Sequence, residues 1–154
     1  MIRVQRETFD AGAEIGAFAA GCGPEVGAVA SFTGLVRDAG TGPALKAMTL
    51  EHYPGMTERK LAEIEAEARR RWPLAASLVI HRYGRMLPGE PIVLVATAAS
   101  HRQAAFEACS FLMDWLKTKA PFWKLEETSE GERWVEAKTS DDAAAERWGM
   151  AAQR

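Results

Sequence analysis

The hydrophobic patterning predicts an α+β protein. Two long stretches, 57–72 and 101–119, carry apolar residues at helical spacing, and several shorter runs dense in Val, Ile, Leu and Thr read as strands. The chain has 154 residues, about the size of one domain with one core. Hydrophobic residues make up 47% and charged residues 26%, so there is enough apolar side chain for a packed interior, and disorder is excluded for the chain as a whole. With 19 basic against 21 acidic residues the formal net charge is -2. A dedicated nucleic-acid binder or a membrane-surface protein would show a basic excess, so both classes fit poorly.

The opening Met1-Ile2-Arg3-Val4-Gln5-Arg6 lacks the apolar run of a secretory signal, and no stretch approaches the ~20 apolar residues of a membrane span. A cytoplasmic setting is expected, with Cys22 and Cys109 reduced. Residues 10–20 form a helix weakened by Gly12 and Gly16. The runs 26–36 and 45–53 read as strands, and the turn formers between them, 38–43, as a mobile loop, which suggests a hairpin with a long tip. After Pro54-Gly55, Thr57 is the expected N-cap of a helix whose Leu61, Ile64, Ala68 and Trp72 share one face until Pro73 stops it. Strands are expected at 74–83 and 92–99, joined through Pro88-Gly89. The second is almost wholly apolar and therefore central, covered on both faces. Ser100-His101-Arg102-Gln103 fits a Ser-x-x-Gln capping box and opens a helix with Ala105, Cys109, Leu112, Met113 and Leu116 in one stripe. Strands at 122–126 and 133–137, a turn at Ser129-Glu130-Gly131 and a helix from Asp141 complete the chain. The expected organisation is one domain over 1–154, with the tail 141–154 open to flexibility.

Charge is unevenly placed. From His101 to Lys124 there are four basic and two acidic residues, whereas Leu125 to Arg147 holds three basic and eight acidic. A helix start presents unpaired N–H groups, and here it also carries His101 and Arg102, which suits a phosphate or carboxylate; a plain capped helix with solvated polar residues is the alternative. Lys117, Lys119 and Lys124 crowd one turn beside Phe122 and Trp123. They are candidates for acid, base or nucleophile, or else lysines snorkelling over aromatic surface. Arg37 enters the Gly-rich loop, where side chains often meet ligands. No P-loop or dinucleotide fingerprint occurs, and His52, His81 and His101 lack metal-ligand spacing. His52 and His81 read as satisfied strand histidines and Cys109 as inert core.

Taken together, several stretches resemble one known family. Gly27-Ala28-Val29-Ala30-Ser31-Phe32-Thr33-Gly34-Leu35-Val36-Arg37, Leu50-Glu51-His52-Tyr53-Pro54-Gly55-Met56, His81-Arg82-Tyr83-Gly84, Pro88-Gly89-Glu90, Ser100-His101-Arg102 and Leu116-Lys117-Thr118-Lys119-Ala120-Pro121-Phe122-Trp123-Lys124 resemble, in order, the catalytic subunit of molybdopterin synthase. The resemblance implies an α/β hammerhead fold, mainly antiparallel sheet packed with helices. It also implies a homodimer within a heterotetramer that holds two small ubiquitin-like subunits. Each small subunit ends in a Gly-Gly thiocarboxylate, whose sulfur converts cyclic pyranopterin monophosphate (precursor Z) to molybdopterin, a step of molybdenum cofactor biosynthesis.

By the same resemblance, Lys117 and Lys124 are catalytic and Arg37, His101 and Arg102 hold the anionic substrate. Lys138 joins the substrate-binding set where relatives often have arginine, and Leu35 stands where some relatives carry a basic residue. No cofactor, metal, nucleic acid or membrane is implied. Trp115, Phe122 and Trp123 are expected interface anchors. A docking module without catalysis, or a single-strand nucleic-acid binder using Phe122, Trp123 and the lysines, are the competing readings.

Overall fold

The computed structural model describes residues 1–135 and 139–152. In chain order the elements are β1 (Ile2–Gln5), α1 (Ala11–Ala20), β2 (Ala28–Leu35), β3 (Leu45–His52), α2 (Met56–Arg71), β4 (Leu74–Arg82), β5 (Gly84–Met86), β6 (Pro91–Ala99), α3 (Arg102–Lys119), β7 (Phe122–Thr128), β8 (Gly131–Val135) and α4 (Thr139–Ala152). The strands form two sheets, ordered β1-β4-β6-β2 and β5-β3-β7-β8. Pairing is antiparallel throughout the described ladders except between β1 and β4. This is the α+β architecture that the patterning predicts.

The first sheet holds the main core. β6 lies between β4 and β2 and is buried from Val93 to Ala99. Its alternation serves two faces: Val93, Val95 and Ala99 pack with Leu61, Ile64 and Ala68 of α2 and Phe111, Leu112 and Leu116 of α3, while Leu94 and Ala96 pack with Phe9 and the α1 side. Thr97 falls among the apolar positions, and its hydroxyl donates to the Ala105 carbonyl at 2.7 Å, which removes the cost of burying it. All five residues of the predicted stripe in α3 are buried. Among the described residues, no helix is long and apolar enough to cross a membrane.

Four local expectations are corrected. First, β2 and β3 do not form a hairpin: β2 pairs along its length with β6, and β3 belongs to the second sheet between β5 and β7. The linker is long enough to change sheets, and the apolar β6 offers β2 a buried partner. Second, residues 84–86 are a strand, β5, rather than loop; Gly84, at φ 93°, turns the chain from one sheet to the other, a conformation open to glycine. Third, the N-cap of α2 is Gly55, not Thr57. Thr57 is fully buried, its hydroxyl accepting from Tyr53 N at 2.9 Å and donating to the Pro121 carbonyl at 3.1 Å.

Fourth, α3 is capped at His101 without any side-chain bond, so the Ser100–Gln103 box does not form. Gln103 donates instead to Glu107 within the helix at 3.3 Å. The residues 2–5 that the patterning leaves unassigned become β1 because Ile2 and Val4 pack on the main core.

Candidate functional site

The two lysines are set by one pinned turn. Lys117 lies in the last turn of α3; Ala120 leaves the helix at φ -79° and ψ 132°, its N–H donating to the Leu116 carbonyl. Extended geometry is what the residue before a proline favours. The Thr57 hydroxyl holds the Pro121 carbonyl, tying this turn to the start of α2. β7 then pairs with β3 so that His52 faces Phe122, Leu50 faces Lys124 and Met48 faces Glu126. Strand alternation puts Phe122 and Lys124 on the face that carries Met48 and Leu50, which pack with Val36 and Met86 as a small second core. Lys119 goes elsewhere: its ammonium lies 4.9 Å from the centroid of the Trp115 ring.

A cluster of rings joins the two sheets at this end. His81, near the end of β4, is buried and stacks on Phe122 with centroids 3.8 Å apart and planes 17° from parallel. His52 stacks on Tyr83 at 4.1 Å, and the Arg6 guanidinium covers Tyr83 at 5.0 Å. Nδ1 of His81 lies 2.9 Å from the Arg82 carbonyl; a carbonyl only accepts, so Nδ1 carries the proton and the neutral ring keeps Nε2 as its acceptor. Burial pushes the His81 imidazole down to about 4, against the pull of the Arg82 carbonyl, and the charges of Lys117 and His52 lower it further. The imidazole is therefore neutral near pH 7. Lys117, His81, Phe122 and Lys124 thus belong to one neighbourhood: the charge of the first acts on His81, and the last shares a strand face with Phe122.

His52 and His81 are strand histidines, as their spacing suggests, but their place beside the lysines is what that reading missed. The available signal was their shared position: each lies at or near the end of a strand and close to a tyrosine, in His52-Tyr53 and in His81-Arg82-Tyr83. Cys109 is inert core, its thiol pushed up to about 11 by burial.

The anion-binding candidates divide between opposite ends of the first sheet. Arg37 leaves β2 where Leu35 pairs with Pro91. It follows Val36, which packs with Leu50, the cross-strand partner of Lys124. The Val36 N–H donates to the Glu90 carbonyl at 2.9 Å, and Gly89 N–H donates to the Val36 carbonyl at 2.8 Å, fixing Arg37 beside the Pro88-Gly89 turn. His101 and Arg102 stand at the other end, where Ala28 pairs with Ala99. That junction is tight: a Cβ on Gly27 would lie 2.3 Å from the Ser100 carbonyl oxygen.

Arg102 opens α3 and Lys117 nearly closes it, so at ~1.5 Å per residue roughly 22 Å of helix lies between them. The expectation that Arg37, His101 and Arg102 converge on one anion within one chain is therefore corrected. The length of β2, Ala28–Leu35, keeps Arg37 from the His101–Arg102 pair, and α3 keeps that pair from Lys117. Arg37, His101 and Arg102 are all exposed. Lys138 lies outside the described residues. Of the expected anchors, Trp123 is exposed, while Phe122 and Trp115 are half-buried against His81 and Phe111 respectively.

The family model described as MoaE protein matches residues 4–119. The molybdopterin synthase catalytic subunit of Pseudomonas aeruginosa is 57% identical over 147 residues, covering 96% of this chain and 97% of that one. That of Escherichia coli is 60% identical over 124 residues, 80% of this chain and 83% of that one. Among solved structures, the molybdopterin biosynthesis MoaE protein from Burkholderia ambifaria superposes with a TM-score of 0.81 at 55% identity, with 97% of each chain covered. The similarity runs through both sheets and through the helix that ends in the lysine turn, and it shows that this chain belongs to the MoaE protein family, the catalytic subunits of molybdopterin synthase.

Proposed function

We propose that this chain, a single catalytic-subunit domain working in the cytoplasm, transfers sulfur from the C-terminal thiocarboxylate of a small ubiquitin-like subunit to cyclic pyranopterin monophosphate. Two sulfurs are installed as a dithiolene, one from each of two partner molecules in succession. The observation that carries this reading is the pinned turn that puts Lys117 and Lys124 beside one ring cluster at the seam between the sheets. Sulfur arrives already activated as an acyl thiocarboxylate, so the enzyme needs no thiol of its own, which suits the buried Cys109. What it must supply is placement, cationic hold on the phosphate and proton transfer at the oxygen that leaves as the cyclic phosphate opens. Lys117 is the principal group for this, Lys124 supports it, and Arg37 holds the anion from the same end.

His101, Arg102 and Lys138 complete the anion clamp in this reading. Because α3 holds Arg102 far from Lys117 of its own chain, the homodimer supplies the remedy: each copy lends its helix start to the other copy's lysines. Helix N-termini and guanidinium forks suit a phosphate there. The test is a purified assay with cyclic pyranopterin monophosphate and thiocarboxylated small subunit, followed by mass spectrometry of the pterin. Gain of two sulfurs in a dithiolene product is the expected result; an unchanged pterin in the presence of assembled complex refutes the reading.

A further inference from the structure

The His81 ring is held by two independent contacts. It is anchored to its own strand, because Nδ1 donates to the Arg82 carbonyl at 2.9 Å, so it has little freedom to rotate. Its flat face lies on Phe122 at 3.8 Å, and Phe122 is the first residue of β7 after the turn that separates Lys117 from Lys124. Phe122 N–H also donates to the Ala120 carbonyl at 3.0 Å, closing the turn behind it. His81 is 5% exposed, so no water layer softens the contact. Opposite Phe122 in register stands His52, itself stacked on Tyr83 and with Nε2 4.0 Å from the Glu58 carboxylate.

Nothing in the proposed sulfur transfer uses His81 directly. Its burial and its bond to a backbone carbonyl make it a poor proton carrier. We infer that His81 is a positioning residue for sulfur transfer, its flat ring on Phe122 setting the start of β7 and so the placement of Lys117 relative to Lys124. The inference rests on the reading of those two lysines given above. Its physical basis is the steep dependence of rate on placement: the ring is a rigid spacer between β4, which belongs to the first sheet, and β7, which belongs to the second.

The experiment uses the assembled complex with thiocarboxylated small subunit and compares His81→Ala, His81→Leu, His81→Phe and Lys117→Ala. His81→Ala is expected to lower kcat by about 100-fold, the loss that a misplacement of ~1 Å produces, with KM for cyclic pyranopterin monophosphate and affinity for the small subunit unchanged. His81→Phe restores a flat ring on Phe122 and is expected to return kcat to within about fivefold of the parent, since placement rather than proton transfer is at issue. His81→Leu fills most of the space without a ring, and it carries the same expectation as the alanine variant if that one does not fold. Parent-like kcat in folded His81→Ala or His81→Leu overturns the inference. A change confined to KM, or no rescue by His81→Phe, overturns it as well. If Lys117→Ala is inactive while the His81 variants turn over normally, positioning alone fails; if Lys117→Ala turns over normally, the reading of the lysines fails and takes His81 with it.

Discussion

The two sheets are held together by different physics. In the first, β6 buries seven consecutive residues, Val93 to Ala99, between helices on both faces. In the second, β7 and β8 bury none, and the face they share with β3 closes over a small core of Val36, Met48, Leu50 and Met86. Hydrophobic burial at about 25 cal/mol per Å² sustains the first sheet. The second depends on its ladder, on ring stacking and on ion pairs at its surface such as Arg85 with Glu127 at 3.1 Å and Arg133 with Glu126 at 3.1 Å. The candidate chemistry lies at the seam, where a stable frame supplies Lys117 and a polar, half-open sheet supplies Lys124. Rigidity and access are thus divided between the sheets, as the proposed site for a protein's C-terminus requires.

The largest effect is expected at the seam. Lys117→Ala is expected to lower turnover by about 10²–10⁴-fold, the usual worth of a positioned acid or base, while the complex with the small subunit still assembles. Lys124→Ala is expected to cost less. Lys117→Arg separates the two roles: little rescue means that proton transfer is required, and substantial rescue means that positive charge suffices. Rate and pull-down measurements on the same preparations check this.

Next comes the sharing of sites between copies. Lys117→Ala and Arg102→Ala chains, each inactive alone, are expected to regain activity when refolded together, because a mixed dimer has one site with neither defect. No recovery on mixing would mean that Arg102 serves its own chain's site.

The stability contrast follows. Phe111 is fully buried under α4 and α2, and Phe111→Ala is expected to destabilise by about 3–5 kcal/mol. Trp134 in the second sheet is 61% exposed, and Trp134→Ala is expected to stay within about 0.5 kcal/mol, as surface substitutions do. Urea unfolding of the two variants measures both; equal losses would erase the distinction between the sheets.

The last effect is confined to acid. An unfolded histidine titrates near 6.5, while His81 in the fold is held down to about 4. The unfolded state therefore binds more protons between those values, and stability is full above pH 6.5 and is lost as pH falls toward 4. The total is on the order of 3 kcal/mol by the linkage of 1.36 kcal/mol per unit. Glu67, held down to about 2 first by its hydrogen bond from Arg70, adds its loss only below about pH 4.5. His81→Phe is expected to flatten the unfolding midpoint between pH 6.5 and 4.5, with the limb below 4.5 retained.

Much of the frame was legible in advance because it follows from periodicity. Leu61, Ile64, Ala68 and the α3 stripe declare their buried face by spacing alone, and the apolar run ending at Ala99 declares a central strand, since burial on both faces leaves no other composition. The motif around Lys117 and Lys124 was legible too, through its resemblance to a family whose residues recur in order. Caps and partners were not. Thr57 has the chemistry of an N-cap, yet it is drawn inward to hold Pro121, and nothing local distinguishes the two uses of a hydroxyl.

What the sequence by itself determined is therefore the helices, the longer strands and the apolar faces, which follow from residue type and short-range spacing, and the candidate reactive side chains, which follow from the resemblance. Only the tertiary structure decided that β2 and β3 part company into different sheets, that His81 lies flat on Phe122, and that one helix holds Arg102 roughly 22 Å from Lys117. These are long-range facts. Strand pairing and ring stacking join residues distant in the chain, and a helix converts a modest sequence separation into a fixed distance, so neither proximity nor separation could be read until the chain was folded.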